Sequence, residues 1–228
     1  MGSETTPGLV CLQGGAEFGA ACRDMDRAVL AAAPPGPVVV LAGAASPGRD
    51  HATASRNAAR YHAGLGADDV RIAPHPLEDP DGATAVLADA ALVVLPGGSP
   101  ARLHAGLAGG VGAALRARHA AGAAVSGASA GAMVLCEHTW LPDRGGAVVA
   151  GLGLAPGVAL VHHRGEDRRV PAVPDDAPRW GLPECGGVLL HAGTVTAAGA
   201  GEPVLFVGRR RVVLARRATD LTGLLSDA

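Results

Sequence analysis

Short apolar runs, separated by longer stretches of mixed polarity, set the rhythm of the first two-thirds of the chain. Leu9-Val10-Cys11-Leu12, Val38-Val39-Val40-Leu41, Ala91-Leu92-Val93-Val94-Leu95 and Ala123-Ala124-Val125 are continuous and aliphatic; Val70-Arg71-Ile72-Ala73 is a weaker version. Continuous runs of this length predict strands buried on both faces. The stretches between them predict helices. One follows the Gly14-Gly15 turn and runs to about Ala33, where Pro34-Pro35-Gly36-Pro37 stops it. A loop from Gly43 to Asp50 leads into a helix over about Ala52 to Leu65. A polar Pro/Asp loop and a short helix precede the fourth strand. Helical sequence then fills Ala101 to Ala121, broken near Gly109-Gly110.

Strand and helix in alternation predict a three-layer α/β fold, with a doubly wound, mostly parallel sheet between helices. In such folds ligands bind outside the carboxyl ends of the strands. The glycine-rich turns after strands one, four and five fall at that edge and can line one cleft. The last third changes character. Val188-Leu189-Leu190, Thr194-Val195-Thr196, Val204-Leu205-Phe206-Val207 and Val212-Val213-Leu214 are short strands separated by turns. They predict antiparallel hairpins closing the sheet's edge. With no internal repeat or shift in composition, residues 1–228 read as a single domain.

Composition narrows the function classes. A net charge of −2 over 228 residues gives no nucleic-acid footprint and no attraction to an anionic membrane. All 19 basic residues are arginine, so lysine-based covalent chemistry is excluded. The four cysteines, Cys11, Cys22, Cys136 and Cys185, have no zinc-type spacing, so no structural metal site is expected, and with no nucleotide motif in the chain no cofactor is expected either. Scattered cysteines suggest a reducing compartment. The N-terminal sequence has no signal-peptide pattern and no apolar run reaches membrane-spanning length, so the expectation is a soluble, cytoplasmic protein. Gly14-Gly15-Ala16-Glu17-Phe18-Gly19 lacks the middle glycine of a dinucleotide fingerprint, and a P-loop needs a lysine.

The candidate chemistry centres on Gly127-Ala128-Ser129-Ala130-Gly131, placed between the fifth strand and the helical Ala132-Met133-Val134-Leu135. A G-x-S-x-G turn exposes its serine hydroxyl above the sheet. The N–H of Ala130 and an N–H of the Pro96-Gly97-Gly98 turn, Gly98 in particular, are candidate oxyanion donors. A serine nucleophile needs a base and usually an acid to orient it. His162 ends the apolar run Ala159-Leu160-Val161 downstream, and strand alternation puts His163 on the opposite face. Two carboxylates compete as the acid: Glu184, after Gly181-Leu182-Pro183, and Asp143, between the serine helix and the histidine strand. Glu166 and Asp167, in an arginine-rich setting, read as solvated ion pairs. Arg164, Arg168 and Arg169 could hold a substrate carboxylate. Arg209-Arg210-Arg211 reads as a charged hairpin turn.

Taken in order, these segments resemble the serine peptidase E and cyanophycinase family, which has a flavodoxin-like, class I glutamine-amidotransferase-like fold. The resemblance rests on Leu12-Gln13-Gly14-Gly15-Ala16-Glu17, Leu95-Pro96-Gly97-Gly98-Ser99-Pro100, the elbow Gly127 to Ala132, Gly151-Leu152-Gly153-Leu154 with His162-His163, and Gly181-Leu182-Pro183-Glu184. It implies Ser129 as nucleophile and His162 as base. The cyanophycinase-like pattern points to Glu184 as the acid and the peptidase E pattern to Asp143, with Glu184 favoured. It also implies a cleft lined by Gly97, Ser99, His163, Arg164 and Arg168. There the chain departs from the pattern: Ser99-Pro100 replaces an acidic/amide pair, His163 stands where an aromatic is usual, and the arginine spacing is altered.

The expected function is therefore a serine hydrolase acting on an amide or peptide bond of a small peptide-like substrate, with no nucleic-acid or membrane partner and room for a homodimer. A catalytically silent binding or scaffold protein on the same fold is the alternative, and an esterase a third. A glutamine amidotransferase is disfavoured because the elbow holds serine rather than cysteine.

Overall fold

The computed structural model describes residues 6–162, 172–174 and 176–226. The first half alternates as the apolar runs predict. In chain order the elements are β1 (Val10–Gln13), α1 (Arg23–Ala32), β2 (Val38–Val40), α2 (Arg49–Ala63), β3 (Val70–Ile72), α3 (Pro80–Leu87), β4 (Leu92–Leu95), α4 (Pro100–Gly106), α5 (Gly110–Ala120), β5 (Ala124–Ala128) and α6 (Ala130–Leu135). Local chemistry fixes several boundaries. Ala33, forced extended by the proline after it (ψ 145), ends α1. Asp79 and Ser99 cap α3 and α4, each followed by a proline at the first helical position, where a missing N–H costs nothing.

The remaining elements are β6 (Cys136–Leu141), β7 (Ala147–Ala150), β8 (Ala155–Leu160), β9 (Arg179–Gly181), β10 (Gly186–His191), β11 (Thr194–Gly199), β12 (Val204–Val207), β13 (Arg210–Val213), β14 (Thr219–Asp220) and α7 (Leu221–Ser226). They divide between two sheets. An eight-stranded sheet has the order β14-β11-β10-β1-β5-β4-β2-β3. Strands β1 to β5 pair in parallel, and β10, β11 and β14 add antiparallel at the β1 edge. The hairpin β10–β11 therefore closes the edge as the sequence predicts. The hairpin β12–β13 does not: it joins a separate six-stranded sheet, β13-β12-β9-β8-β6-β7.

Alternation along the parallel strands sends side chains to two layers. Cys11, Leu92 and Val94 pack with Met25 and Val29 of α1, while Val40 meets Ala58 of α2. Val10, Leu12, Val93, Leu95 and Val125 face the other way, against Leu87, Leu103, Leu115 and the whole of α6. All six residues of α6 are buried. A helix apolar on every side must be covered on every side, and here the second sheet supplies the cover: Trp180 and Leu205 belong to the same core as Leu12 and Leu95. Trp180 is fully buried, with its indole N–H donating to Pro156 O at 2.7 Å. Truncating a tryptophan so placed costs about 3–5 kcal/mol. Among the described residues, no helix is long and apolar enough to cross a membrane.

The register then sets the position of the site. Leu12 lies opposite Gly127 on one side and Leu95 opposite Gly127 on the other. The carboxyl ends of β1, β4 and β5 are thus level, and the three glycine-rich turns meet at one edge.

Candidate active site

Ser129 sits between β5 and α6 with φ 49 and ψ −112. A non-glycine residue in this region stores about 1–3 kcal/mol of strain, which the surroundings must hold. They do so through hydrogen bonds on both sides: Ser129 N–H donates to Gln13 O at 2.9 Å, and Met133 N–H to Ser129 O at 3.0 Å. Close packing completes the turn, since a Cβ on Gly131 would stand 2.1 Å from the carbonyl oxygen of Leu95. Only glycine lets α6 lie this near β4.

His162 comes from the second sheet. It does not end β8 but occupies the turn just beyond it, at φ 54. Its N–H donates to Gly14 O at 2.9 Å, which ties this turn to the end of β1. The Cε1 side of the imidazole then lies against Gly15, where an added Cβ would fall 2.2 Å from Cε1. In this pose Nε2 is 3.1 Å from Ser129 Oγ, and Nδ1 is 3.2 Å from Glu184 Oε1. A carboxylate can only accept, so Nδ1 carries the proton and Nε2 offers its lone pair to the serine hydroxyl. Glu184 lies in the link that carries the chain from β9 in one sheet to β10 in the other. The three side chains thus meet at the seam of the two sheets.

His162 and Glu184 are 46% and 48% exposed. A pair so open to solvent adds little to stability; its effect is to orient the ring. Asp143, the competing acid, is engaged elsewhere. Its Oδ2 accepts from Ser99 Oγ at 2.5 Å, and the same Ser99 oxygen accepts from Arg102 N–H at 3.1 Å. Ser99-Pro100 therefore caps and starts α4 and pins the Pro142–Arg144 turn, and Ser99 presents no spare donor. The structure brings Glu184 to His162 and leaves Asp143 with Ser99.

Of the predicted oxyanion groups, Ala130 N–H opens α6, where the first N–H groups have no intrahelical partner. Gly97 is beside the nucleophile: a Cβ on it would stand 3.2 Å from Ser129 Cβ. Its N–H, however, donates to Glu17 Oε1 at 2.8 Å. Glu17 is thus a residue beside the candidate site that the sequence does not single out. Its signal was a carboxylate two residues beyond a Gly-Gly turn at a carboxyl strand end. His163, Arg164 and Arg168, assigned to the substrate cleft from sequence, lie outside the described residues.

Two open grooves lie near this region, one bordered by the Gly97-Gly98 turn and the other by Glu17. One, of about 660 Å³, is lined by Ser46, Arg49, Asp50, Asn57, Gly98 and Arg102, among others. The other, of about 500 Å³, is lined by Glu17, Phe18, Arg23, Asn57, Arg60, Tyr61 and Gly64. Phe18 and Tyr61 meet there with ring centroids 5.3 Å apart. Tyr61 donates its hydroxyl to Asp26 Oδ2 at 2.8 Å. Burial pushes the Asp26 carboxyl up to about 6, the Tyr61 bond pulls the other way, and the charge of Glu17 adds to the rise. Among the described residues, no three or more His, Cys, Asp or Glu side chains form a group able to hold a metal ion.

No protein-family model matches the chain, and no curated protein sequence does. Solved structures do. A peptidase from an acI-B1 Actinobacterium is similar with a TM-score of 0.80 at 19% identity, over 95% of this chain and 98% of that one. A putative peptidase E protein from Listeria monocytogenes EGD-e is similar with a TM-score of 0.64 at 13% identity, over 86% of this chain and 100% of that one. At these identities the likeness is one of fold, and it extends along almost the full length of the chain.

Proposed function

We propose that the chain is a serine-type hydrolase that cleaves an amide or peptide bond of a small peptide-like substrate through an acyl-enzyme. The observation that carries this reading is the hydrogen-bonded series Ser129–His162–Glu184, assembled from three separate parts of the fold at the carboxyl edge of the parallel strands. The naming of two proteins of like fold as a peptidase and a putative peptidase E supports an amide bond as the target.

In the first half-reaction His162 Nε2 takes the Ser129 proton as Oγ attacks the carbonyl carbon. General-base assistance of this kind is worth roughly 10²–10⁴ in rate. Glu184 keeps the proton on Nδ1 and stabilises the imidazolium that forms, remaining ionised itself. The N–H groups of Ala130 and Gly98 receive the oxyanion; Gly97 N–H is occupied by Glu17, which leaves Gly98 as the donor from that turn. Each such donor is worth roughly 10²–10³ in rate. The tetrahedral intermediate collapses as His162 gives its proton to the leaving amine. Water then repeats the sequence: His162 deprotonates it, the oxygen attacks the ester, and Ser129 recovers its proton as the acid product leaves.

The test is labelling with a fluorophosphonate, which phosphonylates an activated serine whatever the natural substrate. Peptide mapping should place the adduct on Ser129, and Ser129→Ala should abolish it. A dipeptide cleavage screen with varied first residues, run on both proteins, then reads the substrate class. A folded protein that carries no adduct on Ser129 overturns the reading.

A further inference from the structure

Two cysteines distant in sequence converge on one backbone oxygen next to the candidate site. Cys22 Sγ lies 3.4 Å from Ala16 O, and Cys185 Sγ lies 3.5 Å from the same atom. Both are free thiols. Each donates to Ala16 O, so the sulfurs share one acceptor, and they are near enough for the Cys185 thiol to act on Cys22. Their environments differ. Cys22 is buried, and burial together with the adjacent Cys185 thiol pushes its thiol up to about 12. Cys185 is partly exposed. The other two cysteines, Cys11 and Cys136, are fully buried.

Ala16 is also a junction. Gly15 before it supports the His162 ring, and Glu17 after it holds Gly97 N–H. Cys185 directly follows Glu184, and its N–H donates to Gly15 O at 2.8 Å. Ala16 and Cys185 both occupy left-handed backbone, at φ 54 and φ 55. Such conformations persist only while their neighbours hold them. Part of what holds Ala16 is the pair of S–H donors on its carbonyl.

We propose that Cys22 and Cys185 are an oxidation site for hydroperoxides, closing to a disulfide that loosens the Ser129 site through Ala16 and Glu184. The Cys185 thiolate attacks the terminal peroxide oxygen. The O–O bond breaks, the alkoxide or hydroxide leaves with the thiol proton, and Cys185 becomes a sulfenic acid. Cys22 sulfur then attacks Cys185 sulfur. The S–O bond breaks, and the hydroxyl leaves as water with the Cys22 proton. In sum, two thiols and one hydroperoxide give a disulfide, an alcohol or water, and one further water. Exposure makes Cys185 the sulfur that meets the oxidant, and contact makes Cys22 the sulfur that resolves it. The disulfide strips both donors from Ala16 O and draws the sulfurs to a bonding distance of about 2.0 Å, which moves Cys185 and with it Glu184. The cross-link stands on the thiol geometry alone; its effect on Ser129 rests on the hydrolase reading.

The experiment treats the folded full-length chain with hydrogen peroxide, alkylates the remaining thiols and maps non-reduced peptides by mass spectrometry. The expected product joins the Cys22 and Cys185 peptides, is lighter by two hydrogens, and is reversed by dithiothreitol. Fluorophosphonate labelling of Ser129 should be about tenfold slower in the oxidised protein, a fraction of what a well-oriented general base supplies. Cys185→Ser should label at one rate before and after peroxide, and Cys22→Ser, whose Cys185 can still be oxidised, should form no cross-link. Cys185 converted to sulfinic or sulfonic acid with Cys22 still alkylatable overturns the pair. A complete cross-link with an unchanged labelling rate overturns the coupling. Absence of label in the reduced protein overturns the hydrolase reading, and the coupling with it, while the cross-link still decides the thiol pair.

Discussion

Glu17 Oε1 accepts the N–H of Gly97 at 2.8 Å, joining the turn after β1 to the turn after β4 across 80 residues of chain. Gly97 packs against Ser129, so this bond fixes the approach of the proposed oxyanion turn to the nucleophile. A hydrogen bond to a charged acceptor is worth about 1.5–3 kcal/mol. Glu17→Ala frees the N–H and should slow Ser129 labelling by about tenfold. Glu17→Gln keeps an oxygen acceptor of the same reach and should recover most of the rate. Equal rates in all three proteins would show that the turn is held by other contacts.

The two candidate acids separate cleanly by substitution. Glu184 faces His162 Nδ1, so Glu184→Gln offers that nitrogen an amide in place of a carboxylate and leaves the imidazolium uncompensated. Turnover should fall by roughly 10²–10⁴, as when a triad acid is lost. Asp143→Asn, by contrast, weakens only the tie between Ser99 and the Pro142–Arg144 turn. Its labelling rate should stay within about threefold of wild type, with a stability loss near 1 kcal/mol for the weakened hydrogen bond. A large rate loss from Asp143→Asn with none from Glu184→Gln would reverse the assignment.

How much of this was legible in the sequence depends on the kind of signal. Strands β1, β2, β4 and β5 declare themselves because a strand covered on both faces must be apolar throughout, whereas β3, an exposed edge strand, leaves the weaker Val70-Arg71-Ile72 signal. The second sheet does not. Cys136-Glu137-His138-Thr139-Trp140-Leu141 mixes polar and apolar positions without strict alternation, and β9 is only three residues long. Ser129 stands out as a candidate nucleophile by its flanking glycines, and His162 as a candidate base by the apolar run before it. The choice between Glu184 and Asp143 was not, since both sit in loops of similar composition. Topology separates them in space: the chain crosses from one sheet to the other through residues 182–185, which places Glu184 beside His162, while Asp143 lies with Ser99. Glu17 stayed hidden because its partner is a backbone N–H, and backbone leaves no mark in a sequence.

Stability should carry the signature of Asp26. Its carboxyl holds a proton up to about pH 6 in the fold and titrates in the usual carboxylate range when unfolded. Between those limits the native state binds more protons than the unfolded state, so this group's contribution falls as pH rises and reaches its full cost above about 6. Asp26→Asn keeps an oxygen for the Tyr61 hydroxyl and removes the charge. It should match wild type near pH 4 and be more stable at pH 8, by about 2–3 kcal/mol at most. Buried His62, whose pKa is lowered by burial, works in the opposite sense in both proteins, losing stability as pH falls. The difference between the two denaturation curves therefore isolates Asp26, and a difference independent of pH would count against a protonated carboxyl.

Gly15 offers the sharpest separation of catalytic geometry from folding. At φ +127 an alanine is strained by about 1–2 kcal/mol. Its Cβ would also stand 2.2 Å from His162 Cε1 and 2.7 Å from Nδ1. The ring is half exposed, so it can swing toward solvent instead of forcing the core apart. Gly15→Ala should therefore remain folded, melt only modestly lower, and label at Ser129 at least about 100-fold more slowly, the range spanned by loss of a general base. Gly66→Ala is the control for strain alone: Gly66 has φ +105 and nothing within 4 Å of an added Cβ. It should lower the melting temperature by a similar amount while leaving labelling intact. If Gly15→Ala labelled as fast as Gly66→Ala, His162 would have to reach Ser129 from some other position than against Gly15.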